Sequence, residues 1–264
     1  MSKNKDRKQN MKFIASDFDG TIHYRDGIAQ NVRDALAYWQ SLGNKFGIVS
    51  GRGIKNLTYC VNYENLKCDF LVANNGAVIA DGEGKPLKVH TGNPDCILDV
   101  ATFILQYDCR YVCVNDLGEE IFICTKERKE SRYKDDDRFV ILEEYDQIKP
   151  FTQLSTVCRD VALAEELTDL INEKFAGKVT ALRNGYCIDI VPHGVNKATG
   201  VEDLLLVFGG SHDDVATVGD NSNDYDMIKA FRSYAVANAI DSIKEIATHV
   251  VTDLAELVEK ELER

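Results

Sequence analysis

The stretch Lys12–Thr21, KFIASDFDGT, constrains this chain more than any other. A short apolar run, Phe13, Ile14 and Ala15, leads into two carboxylates one residue apart, followed by Gly20 and Thr21. An apolar run bounded by a polar leader and a glycine reads as a buried strand. Side chains alternate along a strand, so Asp17 and Asp19 share a side only while the backbone stays extended. A turn at the strand's carboxyl end aims both into the crevice where open α/β sheets bind ligands. Two carboxylates this close raise each other's pKa unless a cation lies between them. A hard cation such as Mg²⁺, which takes carboxylate and backbone oxygens, resolves the repulsion.

Past this stretch, strand-like and helix-like patterns alternate. Asn31–Leu42 places apolar residues at Val32, Ala35, Leu36, Trp39 and Leu42, a helical spacing that Gly43 stops, and Trp39 reads as a core residue. Lys45–Val49 reads as the next strand, with a helix opening at Ser50-Gly51-Arg52-Gly53, and Asp69–Ala73 as a third strand ending in Asn74-Asn75-Gly76. This series predicts a parallel sheet. Val78–Ala80 is a further short run, and from about Gly82 the strand-like runs crowd together: Tyr111–Val114, Ile121–Cys124 after an Asn115–Gly118 turn, Thr152–Cys158 and Tyr186–Ile190. Two helical stretches interleave, Ile97–Gln106 and Ala162–Phe175, and the charge-rich Lys126–Arg138 reads as a solvated loop or surface helix.

The parallel pattern returns after Pro192 with helix Lys197–Phe208, strand Val215–Val218, helix Asn223–Ala230, strands Tyr234–Ala237 and Val250–Thr252, helix Asp241–Ala247 capped by Asp241, and helix Asp253–Leu262. The fold class expected is α/β. Residues 1–81 and 192–264 form one doubly wound, Rossmann-like core, 1–11 being a mobile leader, and 82–191 form an inserted α+β domain.

Composition excludes several classes. A net charge of −12 with no basic stripe argues against nucleic acid, which is bound through concentrated Lys and Arg. No apolar stretch approaches the ~20 residues of a membrane helix. The leader MSKNKDRKQN lacks the apolar core of a secretory signal. The eight cysteines form no C-x-x-C pair and lie mostly in apolar surroundings, which fits reduced thiols in a cytoplasmic protein. The five histidines share no metal spacing. Oligomeric state is not encoded in any pattern here.

Four pieces of the chain, in order, then carry a resemblance: D-F-D-G-T at 17–21; Ser50-Gly51-Arg52 after an apolar run; Lys197 in HGVNKATGV; and Gly219-Asp220-Asn221-Ser222-Asn223-Asp224 after Val215–Val218. The chain is identified by them as similar to the haloacid dehalogenase-like (HAD) phosphohydrolases, and PHGVNKATGV and GDNSNDYDM resemble the Cof-type sugar-phosphatase-like branch most. The resemblance implies that 82–191 is a cap domain between the second and third motifs, and that Mg²⁺ is the cofactor. It implies a phosphatase acting on small phosphorylated metabolites, most plausibly sugar phosphates. A phosphomutase of the same superfamily and a non-catalytic phosphometabolite-binding protein are the alternatives.

The same resemblance implies roles. Asp17 attacks phosphorus to form an aspartyl-phosphate, and Asp19 serves as general acid and base. Lys197 offsets the charge on Asp17 and phosphate. Asp220 joins Asp17 and the backbone carbonyl of Asp19 around the metal, Asp224 holds the metal's waters or Lys197, and Asn223 binds phosphate. The Ser50 hydroxyl and the amides of Gly51 and Arg52 suit a phosphoryl oxygen at a helix start, although Ser50 is equally a plain N-cap. Arg52 contacts substrate or cap, or pairs with a core carboxylate. Asp189, at the junction of middle segment and core, is in reach of substrate but stays outside this set.

Overall fold

The computed structural model describes residues 11–117, 119–146 and 149–264. The leader at 1–10 and Gly118 of the expected turn lie outside the described residues.

The chain opens with β1 (Phe13–Ser16), α1 (Gln30–Ser41), β2 (Lys45–Val49), α2 (Ile54–Tyr63), β3 (Phe70–Ala73), β4 (Val78–Asp81) and β5 (Pro86–Val89). The middle holds α3 (Cys96–Ile104), β6 (Cys109–Asp116), β7 (Glu119–Cys124), α4 (Lys126–Arg132), β8 (Phe139–Ile141), β9 (Gln153–Cys158), α5 (Val161–Lys174), β10 (Val179–Asn184) and β11 (Cys187–Pro192). The last part comprises α6 (Lys197–Phe208), β12 (Val215–Gly219), α7 (Tyr225–Ala230), β13 (Arg232–Val236), α8 (Asp241–Ile246), β14 (His249–Val251) and α9 (Leu254–Leu262).

Two sheets result. The first runs β14-β13-β12-β1-β2-β3-β4-β5, parallel from β14 through β3 and antiparallel beyond. Alternation along its strands sends Ile14, Phe46, Ile48 and Leu71 to one face, against Trp39 of α1, Leu57 of α2 and Leu257 of α9. Phe13, Val49, Phe70 and Val72 go to the other, against Val201, Leu204 and Leu205 of α6. A parallel sheet covered on both faces is the arrangement that near-continuous apolar strands demand. From β1 the chain winds outward through β2 and β3, and later from β12 through β13 and β14. The order therefore reverses between β1 and β12, the crevice where such sheets bind ligands.

The second sheet, β10-β11-β9-β6-β7-β8, carries α3 and α5 on one face. Ile97, Val100 and Ile104 of α3 and Leu167 and Ile171 of α5 pack on Val112, Leu154, Ile188 and Ile190. Its other face is turned towards the first sheet. Among the described residues, no helix is long and apolar enough to cross a membrane.

Several local expectations are corrected. Strands β5, β8 and β10 are additions that the sequence patterns do not mark. β5 follows residue 82 yet pairs with β4 of the first sheet. Lys126–Arg132, by contrast, is the surface helix expected, with no buried residue. Asp241 is the first residue of α8 and Ile240 its N-cap, with no side-chain capping bond. The helix expected at Asn223 begins as a 3-10 turn, Ser222–Asp224, before α7.

Candidate active site

Asp17 leaves β1 with its backbone N–H donating to the carbonyl of Val218 at 2.9 Å, which ties it to the end of β12. The following turn passes Gly20 at φ +86°, and a Cβ there would stand 2.6 Å from Asp220 Oδ2. Only glycine meets both demands. Thr21 Oγ1 then donates to Asp220 Oδ1 at 2.9 Å. The turn thus brings two carboxylates from different strands together at the point where the sheet reverses.

Lys197 completes the cluster from below. Asn196 caps α6 through a reciprocal capping box with Thr199, which fixes the first helical residue pointing inward. The Lys197 side chain is wholly buried, and its Nζ donates to Asp17 Oδ1 and Asp224 Oδ1, both at 2.6 Å. A buried ammonium is tolerated only with such partners. Burial pulls the Lys197 pKa down, but the charges of Asp17 and Asp224 outweigh it and hold the group above its ordinary value. Burial pushes Asp17 the other way, up to about 8, with Asp224 and Asp220 adding repulsion and Lys197 opposing. Asp220 is raised too, by burial first and then by Asp224.

Asp17, Asp220 and Asp224 offer oxygens that all lie within 4.8 Å of one another. The donor set is purely carboxylate, with no thiol or imidazole, so it fits a hard divalent cation. Asp224 is already committed. Its Oδ1 holds Lys197, and its Oδ2 accepts the N–H groups of Asp220 at 2.9 Å and Asn221 at 3.0 Å. Asp17 and Asp220 are therefore the pair suited to direct contact with a cation.

Ser50, at the end of β2, is buried, and its Oγ accepts the Arg52 N–H at 3.2 Å. The helix begins only at Ile54 with Gly53 as N-cap, so Ser50 is not its cap and the Gly51 and Arg52 amides precede the first turn. The Arg52 amide is turned to Ser50. Its guanidinium grips Asp19 at two points, Nε to Oδ2 at 2.7 Å and Nη2 to Oδ1 at 2.8 Å, and also donates to Asn56 Oδ1 at 2.7 Å. Of the roles left open for Arg52, pairing with a core carboxylate is the one seen. The Asp19 carboxylate accordingly stands apart from the three-carboxylate cluster.

A cavity of about 210 Å³ joins these groups, lined by Asp17, Asp19, Ser50, Gly51, Arg52, Asp220, Asn221 and Asn223 from the first sheet's loops and by Asn184 and Asp189 from the second sheet. Among the described residues, larger hollows elsewhere, such as one of about 420 Å³ between α1 and Asn65–Lys67, hold no such cluster.

Residues inside and outside the motifs tie the sheets together here. Asn74 and Asn75 turn the chain after β3 at φ +52° and +50°, a conformation asparagine tolerates better than most residues. Asn75 Nδ2 reaches across to Asp189 Oδ2 at 2.8 Å and Gln153 Oε1 at 3.1 Å, while Gln153 Nε2 donates to the Gly51 carbonyl at 3.0 Å. Burial raises Asp189 to about 6, against the Asn75 bond and the Lys197 charge. A second tie joins Asn221 Nδ2 to Asn184 Oδ1 at 3.2 Å and Ser222 Oγ to the Arg183 carbonyl at 2.8 Å. The Asn-Asn-Gly run after an apolar strand is the one trace of this in the sequence. Gln153 carries no local signal.

The profile of the haloacid dehalogenase-like hydrolases matches residues 14–256. Phosphoglycolate phosphatase 1 of Saccharolobus solfataricus is 35% identical over 71 residues, covering 26% of this chain and 31% of that protein, under two thirds of its length. Stress response protein YhaX of Bacillus subtilis is 24% identical over 256 residues, covering 90% and 87%. The solved structure of a HAD subclass IIB sugar phosphatase superposes with a TM-score of 0.77 at 20% identity, covering 96% of this chain and 98% of the other, a likeness of fold.

Proposed function

The chain belongs to the haloacid dehalogenase-like hydrolases, and on that premise we propose that it is a Mg²⁺-dependent phosphatase of small phosphorylated metabolites, sugar phosphates foremost. The observation that carries this reading is the wholly buried Lys197 held between Asp17 and Asp224, with Asp220 beside them at the sheet's reversal point. A fixed positive charge next to an ionisable nucleophile, set among hard oxygen donors, is what phosphoryl transfer requires.

A Mg²⁺ ion held by Asp17, Asp220 and the backbone carbonyl of Asp19 supplies charge neutralisation for the phosphoryl oxygens and keeps Asp17 ionised. A carboxylate oxygen of Asp17 attacks phosphorus, the bond to the leaving oxygen breaks, and Asp19 gives that oxygen its proton. Water then attacks the aspartyl-phosphate as Asp19 takes its proton, and Asp17 is released. Lys197 holds Asp17 in line and meets the charge on the phosphoryl group, with Asp224 orienting Lys197. Ser50, Gly51 and Asn223 bind the phosphoryl oxygens. Asp19 turns away from Arg52 to reach the leaving group, so Arg52 sets the resting position of the acid.

The second sheet serves as a cap, excluding water from the crevice and choosing the leaving group. Eight unpaired thiols suit a reducing compartment, the cytoplasm. The relative named for phosphoglycolate supports phosphate-ester hydrolysis as the reaction class. The test is a screen of sugar phosphates, nucleotides and cofactor phosphates with Mg²⁺ and with chelator. Phosphate release that needs the cation and vanishes in Asp17→Asn is the expected result. Release that survives Asp17→Asn refutes the mechanism, and isomer formation without release indicates a mutase instead.

A further inference from the structure

Asp189 lies between Ile188 and Ile190, which both point into the second sheet's core, so its carboxylate faces the crevice. Its position there is fixed. Oδ2 accepts from Asn75, whose amide is itself bound by Gln153, and Gln153 is anchored on the Gly51 carbonyl. A Cβ on Gly51 would come within 2.9 Å of Asp189 Oδ2, so the carboxylate packs directly over the segment proposed to hold the phosphoryl group. Beside it the second sheet contributes Asn184, a neutral amide. Among the described residues, the one cation lining this cavity is Arg52, already gripped at two points by Asp19. Lys197, beneath, is shared between Asp17 and Asp224. The charge of one phosphoryl group can be met here, but a second anionic group beside Asp189 finds no counter-charge.

We infer that Asp189 is a specificity-determining residue, accepting a hydrogen bond from a hydroxyl of the leaving group and turning away esters that carry a carboxylate at that position. The substrate class is then a neutral, hydroxylated phosphate monoester. This deepens the phosphatase reading and rests on it. Discrimination of this kind needs a repulsive element as well as an attractive one. A buried acceptor left unpaired penalises ligands without a hydroxyl, and like charges in a poorly solvated cleft penalise the acids.

The test uses two esters of matched size, 2-hydroxyethyl phosphate and phosphoglycolate, assayed well above the pH at which Asp189 titrates. The wild-type chain favours the hydroxyethyl ester. Asp189→Asn, which keeps the size and the bond to Asn75, shifts the ratio of kcat/KM values towards phosphoglycolate by about tenfold or more, roughly 1.4 kcal/mol, mainly through KM. Asp189→Glu keeps the charge and leaves the preference for the hydroxyl. A residue that merely holds the two sheets together lowers both substrates alike, so an unchanged ratio in Asp189→Asn overturns the inference while leaving the phosphatase reading intact. Wild-type preference for phosphoglycolate overturns it outright. Calorimetric titration with 2-hydroxyethylphosphonate and phosphonoacetate reads the same discrimination without turnover. A chain that releases phosphate from nothing in the wider screen yet loses this discrimination in Asp189→Asn refutes catalysis and sustains the role of Asp189.

Discussion

The two sheets meet at one crevice and furnish it in different ways. On the first sheet's side, Asp17, Asp220, Asp224 and Lys197 come from two strand ends, a helical turn and a helix start, and they interlock through bonds as short as 2.6 Å. On the second sheet's side, Asp189 and Asn184 stand at the crevice, while their strand neighbours Ile188 and Ile190 point away into the core under α3 and α5. In the interlocked half each charge depends on its neighbours, so chemistry and stability are coupled. In the other half Asp189 and Asn184 are held by neutral amides, Asn75 and Asn221, with no buried ion pair. On the proposed reading, catalytic capacity and substrate choice are thereby held on separate scaffolds.

The largest effect that sharpens this contrast is expected at Asp17. Asp17→Asn should lower kcat by about 10⁴-fold or more, and in chelator near pH 8 it should raise the urea midpoint, because it removes one of three crowded negative charges. A midpoint that falls instead breaks the contrast, since Asp17 would then be a structural anchor.

Lys197→Met should also abolish turnover, but here with a stability loss of about 3–5 kcal/mol, the usual consequence of removing one partner from a buried ion pair. Denaturant unfolding measures it, and a loss below about 1 kcal/mol would show that the carboxylates rearrange freely.

In the second region, Leu167→Ala should be destabilising by about 2–5 kcal/mol through the cavity it leaves under α5. At temperatures where the protein stays folded, kcat for a small ester should be retained. A loss of turnover matching that of Asp17→Asn would abolish the distinction between the halves.

Titration probes the interlocked half by itself. The folded-state value of Asp17, about 8, lies above its ordinary 3.8, so the native state keeps a proton that the unfolded chain gives up. That contribution is complete below pH 3.8 and is lost as pH rises through 8, so the metal-free protein should weaken over this window. Mg²⁺ should flatten the slope, as read from urea midpoints at several pH values with and without chelator. The smallest effect is expected for Asn196→Ala, about 1 kcal/mol for the lost cap of α6.

What could be read from the chain alone was local. Apolar runs marked β1, β2 and β12, helical spacing marked α1 and α6, and an acid or hydroxyl at each strand end marked the crevice, because strand and helix periods and chain turns are written over a few residues. The strands that escaped notice, β5, β8 and β10, are edge strands of the two sheets, short or alternating, and their identity depends on a partner far away in sequence. Tertiary structure alone decided that Lys197 is buried, since nothing but two converging carboxylates makes an interior ammonium tolerable. It alone decided that Arg52 holds Asp19 and that Asp189 packs over Gly51. One is a pairing across 33 residues, the other a matter of which face of a strand is turned to a second sheet. A sequence can name the groups at strand ends, but which of them share a cavity follows from how two separately packed sheets are pressed together.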